Sequence, residues 1–447
     1  MTDSSFLRSS DLSRLKEILA EGACCSIVGL SNVGKSALLR AVAEPDTDPN
    51  APLNVYVDCN LMLALTDQAF YEVTLRSVLG VARRQTVKVP AKVIAEVEKL
   101  YRQVIDAIQP GAIIAPLSFN EGIALLCEQL QRRVVLLFDE FDDPFGALDG
   151  RVFLNLRALH DKYECLTYVA ATGMSLRDRR QDSEAGEFCE LFAGHQINLG
   201  ALSREDSSRA VSAWAKDDGA ALEPDEVMFV VEHAGGHPGL LRAATRLLVQ
   251  VASGAPLHAR AQALNLVHDK MESDAAVRDE CAKLWSQLSP IEQEALVGLT
   301  LDEEEAVPAA AQAELIVKGI LLPGQPPRIF GELFAAFARR QRHMRQPAQA
   351  GIRVDVDAGE VWLDGERVPT LTDLEYRLLL LVYGRMGKIC DKYQIVEAVW
   401  GQDYIDEVDD ARIEKLISRL RSKIERDPAN PRHLVTVRGR GYKLVAV

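Results

Sequence analysis

The 447-residue sequence has no apolar run long enough to cross a membrane. A membrane helix needs about 20 consecutive apolar residues. The longest runs here, such as 134–138 and 378–382, have the length of a buried strand or of one stretch of a core helix. Residues 1–5 also lack the basic and apolar regions of a secretory signal. We therefore expect a cytoplasmic protein that makes no membrane contact.

The sequence also lacks paired cysteines. Its eight cysteines are scattered, and no two of them form a Cys-x-x-Cys motif. This spacing argues against a zinc site, a redox motif and a disulfide framework. Internal repeats and low-complexity tracts are absent as well. The length is sufficient for two to four domains, each with its own core.

Positive charge is scarce over most of the chain, which has a formal net charge of −14. This balance argues against a protein that coats nucleic acid through its overall charge. The end of the chain differs, because residues 411–447 contain ten basic and three acidic side chains. The sequence therefore predicts a local basic patch at the end of an acidic protein.

Short apolar segments alternate with amphipathic stretches over residues 1–204. The apolar runs lie at 23–28, 54–58, 134–138 and 166–171, and turn or polar residues bound each of them. This alternation predicts an α/β domain with a parallel sheet and helices on both faces.

Further segments follow the predicted sheet domain. Residues 205–270 are predicted to be helical with a break at 235–239, and residues 271–342 form a small helical unit with a hairpin near 322–324. A polar linker is expected over 343–351, before a last domain over 352–447.

Residues 29–36 read Gly-Leu-Ser-Asn-Val-Gly-Lys-Ser and fit the phosphate-loop pattern G-x-x-x-x-G-K-[ST]. An apolar strand precedes them and a helix follows, so backbone N–H groups and the helix N-terminus would hold an anion. Lys35 would bridge the β- and γ-phosphates, and Ser36 would ligate Mg²⁺. A glycine turn without a ligand is the alternative. The predicted ATP or ADP contacts are Gly29, Ser31, Asn32, Val33, Gly34, Lys35, Ser36 and Ala37.

Two carboxylates follow the apolar run 134–138. A buried strand that ends in Asp139 and Glu140, about 100 residues after a phosphate loop, is the Walker B arrangement. Asp139 is predicted to hold Mg²⁺ through water, together with Ser36. Glu140 is predicted to orient or deprotonate the attacking water. The alternative is a strand that simply runs into a polar loop.

Polar residues also follow the predicted strand 166–171. Thr172 stands where a side chain can reach the γ-phosphate. Arg177, Arg179 and Arg180 come next, and we take Arg177 as the candidate that reads the γ-phosphate or acts on a neighbouring subunit. A solvated basic loop is the alternative.

Residues 5–340 resemble the signal-transduction ATPases with numerous domains (STAND) and the related archaeal-type AAA+ ATPases. Besides the two motifs above, the resemblance rests on Phe6-Leu7-Arg8 and on residues 236–239, Gly-His-Pro-Gly. It implies a helical lid in which Pro238 packs near the adenine and His237 senses phosphate. It also implies a small winged helix over 271–342 and closure controlled by ADP or ATP. For 236–239 alone, a helix-breaking turn is the alternative.

Residues 352–447 predict an α+β domain with three helices and short strands. Extended runs are expected at 353–356 and 360–363, and a capping box at Thr372 and Glu375 starts the first helix. A second helix is expected at 391–399. The third, at 408–424, has apolar residues at helical spacing. Strands at 433–437 and 442–445 flank a turn that contains Arg438 and Arg440.

This last domain resembles the winged-helix output domain of OmpR-type response regulators. The matching motifs are Leu-Thr-x-x-Glu at 371–375, Arg-Leu-Arg-x-Lys at 419–423 and Thr-Val-Arg-Gly-x-Gly-Tyr at 436–442. The resemblance implies double-stranded DNA as a partner, with the third helix in the major groove and the hairpin at the minor groove. The residues in these positions are Arg412, Lys415, Arg419, Arg438 and Arg440.

Several acidic residues precede or open the third helix, and they would repel DNA phosphates. They leave a protein-docking or autoinhibitory surface as the alternative to a DNA-binding one. These residues are Asp403, Asp406, Glu407, Asp409 and Asp410.

Three functions fit these domains. The leading hypothesis is an ATP-dependent transcriptional regulator, in which a slow ATPase that can form nucleotide-dependent homo-oligomers controls the winged helix. The second is a stress or phage-defence sensor whose winged helix docks a protein. The third is an ATPase that binds replication origins or remodels DNA.

Overall fold

The structure is a computed structural model. The chain forms two compact units, Met1–Arg340 and Gln341–Val447, and each is described by itself. No helix in the described ranges is long and apolar enough to cross a membrane. The described residues are 7–45, 48, 50–84, 89–106, 113–252, 264, 267, 270–300, 308–324, 327–344, 351–355, 360–363, 366–369, 371–401, 404, 408–428 and 430–445.

A five-stranded parallel sheet forms the centre of the first unit. Its strands are β1 (Cys25–Val28), β2 (Leu53–Asp58), β3 (Val134–Asp139), β4 (Leu166–Thr172) and β5 (Gln196–Asn198). Their order across the sheet is β2-β3-β4-β1-β5. The first four confirm the strands predicted from the apolar runs. The sequence does not predict β5, because this edge strand buries only one side chain, that of Ile197.

Helices cover both faces of the sheet, as the α/β pattern predicts. They are α1 (Ser9–Glu21), α2 (Lys35–Val42), α3 (Asp67–Ala82), α4 (Ala91–Asp106), α5 (Ile114–Leu130), α6 (Asp142–Ala147), α7 (Gly150–Lys162), α8 (Leu176–Arg179) and α9 (Ser183–Glu190). Val55 and Val57 of β2 pack on one face, against a core rich in phenylalanine, while Tyr56 lies on the other face with α1 and α2.

A second helical core in the first unit follows the sheet. Its helices break at Gly235, as predicted. This residue has φ +64°, and a Cβ there would lie 1.9 Å from the carbonyl oxygen of Phe330, so the position requires glycine. The helices are α10 (Arg204–Asp217), α11 (Pro224–Ala234), α12 (Pro238–Ala252), α13 (Ala275–Ser286), α14 (Pro290–Leu299), α15 (Ala309–Val317) and α16 (Glu332–Met344).

A short hairpin separates α15 from α16. Its strands are β6 (Leu321–Leu322) and β7 (Arg328–Ile329), which agree with the hairpin predicted near 322–324. Helix α16 continues to Met344, two residues into the predicted linker 343–351. Residues 345–350 of that linker lie outside the described residues.

The second unit has the predicted α+β composition. Its helices are α17 (Asp373–Gly384), α18 (Lys392–Val399) and α19 (Asp410–Ile424). Its strands are β8 (Ile352–Asp355), β9 (Glu360–Leu363), β10 (Glu366–Arg367), β11 (Ile389–Cys390), β12 (Leu434–Val437) and β13 (Gly441–Leu444). They form two antiparallel three-stranded sheets. The sequence does not predict the two-residue strands β10 and β11, which are too short to show a periodicity.

The helix start and the buried helix face predicted for the second unit are both confirmed. The predicted capping box joins Thr372 and Glu375 at the start of α17, and a second one joins Asp391 and Gln394 before α18. The predicted apolar stripe of α19 is buried along its whole length: Ile413, Leu416, Ile417, Leu420 and Ile424. The spacing of the apolar side chains therefore determines which face of α19 is exposed to solvent.

Glu425 ties the end of α19 to the strand that follows. Its buried carboxylate accepts hydrogen bonds from the backbone N–H groups of Arg432, His433 and Leu434, at 2.9, 2.9 and 2.7 Å. Because an unpaired buried donor loses its hydration without compensation, Glu425→Ala should destabilise this region by about 2–3 kcal/mol. Amide hydrogen exchange of β12 and β13 measures the effect. Glu414→Ala, at an exposed position of α19, is the control and should leave exchange unchanged.

Candidate nucleotide site and candidate nucleic-acid interface

The phosphate-loop sequence forms a tight turn between β1 and α2. Gly34 has φ +110° and Asn32 has φ +57°, which are left-handed conformations. A Cβ at Gly29 would lie 2.8 Å from the carbonyl oxygen of Leu199, so glycine is needed there for close packing. The two motif glycines therefore serve the path of the loop, and α2 begins at Lys35 with its N-terminus at the loop.

A cavity of about 640 Å³ opens over this loop. Its volume lies within the range typical of small-molecule sites. Five predicted contacts line it from the loop and α2: Asn32, Gly34, Lys35, Ser36 and Ala37. Glu140 and Pro238, also predicted, line it too. The sequence does not predict four basic residues that also line it, Arg40, Arg242, Arg246 and Lys283.

Lys35 is buried beneath the loop. Its Nζ donates to the carbonyl oxygens of Gly29 at 2.7 Å and Leu30 at 3.2 Å. Burial lowers the pKa of Lys35, while the carboxylates of Glu140 and Asp142 oppose that shift. A lysine held among carbonyl oxygens in this way is positioned at the loop before any phosphate arrives.

The two predicted acidic residues differ in environment. Asp139 is only 1% exposed, and its carboxylate accepts from the N–H of Glu140 and from the hydroxyl of Tyr56. Glu140 is exposed and has φ +52°, a conformation that costs energy for a side chain of this kind. Partial desolvation of its carboxyl raises the pKa of Glu140, although the nearby Lys35 ammonium opposes that shift. A raised pKa suits a group that takes a proton from water.

The donor set at this end of β3 fits Mg²⁺. Mg²⁺ prefers hard oxygen ligands and keeps several of its waters. Asp139 supplies a carboxylate that is fixed by hydrogen bonds, and Ser36 supplies a hydroxyl group from the loop helix. These two residues would hold the ion.

The other predicted nucleotide-site residues do not line the cavity: Gly29, Ser31, Val33, Asp139, Thr172, Arg177 and His237. The hydroxyl group of Thr172 is buried and donates to the carbonyl oxygen of Met174 at 2.7 Å. Arg177 is exposed and lines a separate cavity of about 240 Å³, beside Ser26 and Cys189.

The tip of the loop contacts the second helical core of the same unit. The N–H of Ser31 donates to Gln287 Oε1 at 2.9 Å, and the side-chain amide of Asn32 donates to both oxygens of Glu280 at 3.0 and 2.8 Å. Glu280 belongs to α13, and Gln287 follows its last residue. We call these two side chains the loop clamp. The sequence does not predict it, because nothing local relates positions 31 and 32 to positions 280 and 287.

His237 supports the same tip from below. Its Nε2 lies 3.1 Å from the carbonyl oxygen of Ser31, and the N–H of Leu240 donates to its Nδ1 at 3.3 Å. Nδ1 is thus the acceptor, so Nε2 carries the proton and donates to Ser31. Both ring nitrogens are engaged, which places His237 under the loop rather than in the cavity.

Arg8 braces the loop from the other side. Its guanidinium donates to the carbonyl oxygen of Val33 at 2.8 Å and to that of Gly200. Val33 is itself buried, and neither Arg8 nor Val33 lines the cavity. The segment Phe6-Leu7-Arg8 therefore reaches the back of the loop through Arg8, while Phe6 lies outside the described residues.

The second unit presents basic residues on α19 and on the hairpin β12–β13. The five predicted DNA contacts have exposed side chains: Arg412, Lys415, Arg419, Arg438 and Arg440. Other basic residues are tied to the fold. Arg421 donates to Leu434 and Thr436, and Lys423 forms an ion pair with Glu375 at 2.7 Å.

Two of the acidic residues near α19 have partners in the same unit. Asp409 caps the helix by accepting from the N–H of Arg412, and Asp410 pairs with Lys392 at 2.8 Å. Both roles suit the positive N-terminus of the helix. Asp403, Asp406 and Glu407 lie outside the described residues.

Comparison with known proteins identifies the second unit. Residues 365–444 match the family model "Transcriptional regulatory protein, C terminal". The sensory transduction protein RegX3 of Mycolicibacterium smegmatis is 45% identical over 93 residues, which are 21% of this chain and 40% of that protein. The regulatory protein YrkP of Bacillus subtilis is 41% identical over 95 residues, with the same coverage. This chain thus spans about two fifths of the length of these relatives.

The first unit is recognised by its fold. The Walker-type ATPase PABY2304 of Pyrococcus abyssi superposes with a TM-score of 0.50 over 74% of this chain and 95% of its own, at 15% identity. The first unit therefore has the fold of P-loop ATPases. The second is a winged-helix domain of the OmpR type, which elsewhere ends transcriptional regulatory proteins.

The neutral imidazole of His237 makes the loop sensitive to acid. Burial lowers the pKa of His237 from 6.5 to about 4. The unfolded chain therefore binds the proton more tightly, and stability is lost as pH falls from about 6.5 towards 4. Protonation of this residue should lower the free energy of unfolding by on the order of 2 kcal/mol between pH 7 and pH 5. His237→Gln should show a smaller drop in thermal unfolding midpoint over this pH range than the native chain. An equal drop in His237→Gln and in the native chain would contradict this role. His233→Gln is the control.

Proposed function

We propose that this chain is a nucleotide-dependent switch that acts as a DNA-binding transcriptional regulator. The observation that carries the proposal is the loop clamp, because the residues that would hold phosphate also bind the helices that follow the sheet. A ligand at the loop must therefore alter those contacts. Helix α16 of the same helical series runs directly into the segment before the winged helix.

The first unit supplies the parts of a slow ATPase. The loop N–H groups and Lys35 bind the phosphate chain, and Ser36 and Asp139 hold the ion. Mg²⁺, when bound, neutralises charge on the phosphate oxygens. Glu140 orients a water molecule and accepts its proton, since its carboxyl has a raised pKa and faces the cavity. Slow turnover then returns the loop from the ATP-bound to the ADP-bound arrangement.

Competition for one N–H group explains how the switch would work. The N–H of Ser31 donates to Gln287, and a phosphate oxygen would need the same donor. The carboxylate of Glu280 adds negative charge at the loop tip, where it repels a phosphate. Nucleotide binding is therefore expected to displace the clamp, and the freed α13 transmits the change.

The exposed basic residues of the second unit support DNA as the partner. Arg419 and its neighbours on α19 face solvent on the side opposite the buried stripe, and the hairpin turn adds Arg438 and Arg440. Arginine reads base edges and phosphates through paired hydrogen bonds. YrkP is a transcriptional regulatory protein by name, and the matching family model carries the same description, which favours this use of the domain.

Two further parts of the proposal concern partners. Arg177 is exposed and does not line the cavity, which favours a role on the nucleotide of a neighbouring subunit in a nucleotide-dependent homo-oligomer. A protein partner for the winged helix is the second candidate. The acidic side chains of Asp409 and Asp410 at the start of α19 favour it, because DNA phosphates would repel them.

Substitution of the basic surface tests the DNA-binding function. Arg438→Ala and Arg440→Ala should each weaken binding to a DNA fragment from upstream of the gene itself by about 1–3 kcal/mol. Each should also reduce the slope of log affinity against log salt concentration by about one for each phosphate that the variant no longer neutralises. Binding is measured by fluorescence anisotropy without nucleotide, with ADP and with ATP. Lys388→Ala, exposed in the same unit, is the control. Absence of binding in every nucleotide state would favour the protein-docking alternative.

Substitution of the loop clamp tests the switch. Glu280→Ala with Gln287→Ala removes a competing acceptor and a negative charge, so nucleotide affinity should rise about 5- to 10-fold, the equivalent of one hydrogen bond. Titration with a fluorescent ADP analogue measures the change, and DNA binding should lose part of its dependence on nucleotide. Lys35→Ala, which removes the phosphate-binding lysine, should abolish nucleotide binding. Glu294→Ala is the matched surface control, and unchanged affinity in the clamp variant would contradict the mechanism.

A further inference from the structure

A tyrosine on the neighbouring strand contacts the carboxylate at the end of β3. Strands β2 and β3 are parallel, with Asp58 paired to Asp139. Tyr56, two residues earlier on β2, reaches along the sheet so that its hydroxyl group lies 2.5 Å from Asp139 Oδ2. This is a short hydrogen bond of the kind that an ionised acceptor forms. Nothing in the two ATPase motifs calls for a tyrosine at this place.

An arginine of the loop helix orients this tyrosine. Arg40 Nη2 donates to the hydroxyl oxygen of Tyr56 at 3.0 Å, and its guanidinium lies 5.1 Å from the ring centroid. The hydroxyl proton must then point to Asp139, because the guanidinium can only donate. A hydrogen-bonded chain runs from Arg40 through Tyr56 to Asp139, and each bond polarises the next.

The carboxylate of Asp139 is thereby held at both oxygens. Oδ2 accepts from Tyr56, and Oδ1 accepts from the N–H of Glu140 at 3.1 Å. Two anchors fix the rotation of the carboxylate plane, so that its remaining lone pairs face one direction. Asp58, the next carboxylate on β2, turns to its own chain and accepts from the N–H of Asn60. Among the described residues, Tyr56 is therefore the side chain that sets the orientation of Asp139.

We infer that Tyr56 is a positioning residue for Mg²⁺, acting through Asp139 and aligned by Arg40. The inference rests on the proposed function, because it assumes that Asp139 holds the ion of a bound nucleotide. Loss of a hydrogen bond that orients a metal ligand commonly lowers metal affinity or activity 10- to 100-fold. A merely structural tyrosine would affect folding of the sheet without a specific effect on Mg²⁺.

Tyr56→Phe separates these two roles, since it removes the hydroxyl group and keeps the half-buried ring. The measurement is the affinity of the full-length chain for a fluorescent ADP analogue, titrated with Mg²⁺ and, separately, in EDTA. We expect the Mg²⁺ concentration for half-maximal enhancement of binding to rise at least 10-fold, while affinity in EDTA stays within twofold of the native chain. Tyr101→Phe is the matched control, because Tyr101 is also half-buried and donates to a carboxylate, Glu72, at 2.9 Å on other helices.

A double-mutant cycle with Asp139→Asn tests whether the effect passes through Asp139. If Tyr56 acts by orienting that carboxylate, Tyr56→Phe should have little further effect in the Asp139→Asn background. A full additional effect in that background, or an unchanged Mg²⁺ requirement in Tyr56→Phe alone, would overturn the inference. A fall in affinity that is equal with and without Mg²⁺ would do the same, because it indicates a structural role. Failure of the native chain to bind the analogue would instead overturn the proposed function itself.

Discussion

One backbone N–H group, that of Ser31, links the two halves of the first unit. It donates to Gln287, and under the proposed function a phosphate oxygen would compete for this donor. The same tip is held by Glu280 through Asn32 and by His237 through the carbonyl oxygen of Ser31. The loop tip is therefore bonded to the helices that follow the sheet, and under the proposed function nucleotide occupancy and the position of those helices would depend on each other.

The acidic end of β3 divides two tasks between neighbouring residues. Asp139 is buried and fixed at both oxygens, which suits a metal-holding role. Glu140 is exposed in a left-handed conformation that directs its side chain to the cavity. Backbone strain of this kind is often kept where a side chain must point in one direction for chemistry. Under the proposed function, Asp139 at the end of β3 would anchor the ion, and Glu140 directly after it would act on the water molecule.

The winged helix shows why net charge is a poor guide to function in this chain. The whole sequence is strongly acidic, yet the exposed face of α19 and the hairpin turn carry arginine and lysine. Only part of the basic charge near α19 is available to a partner, because Arg421 and Lys423 bind groups of their own fold. A charge count over 411–447 predicts the patch, but the tertiary structure decides which of its members face solvent.

The sequence alone determined the features that depend on neighbouring residues. The phosphate loop, four of the five strands, the capping box of α17 and the buried stripe of α19 all follow from local spacing and periodicity. The tertiary structure decided the rest. It joined Ser31 to Gln287 across 256 positions and Tyr56 to Asp139 across 83, turned the hydroxyl group of Thr172 to Met174, and added the edge strand β5. Such pairings join residues that are far apart in sequence and meet only when the chain folds back on the sheet. The spacing of residues along the chain does not predict these contacts.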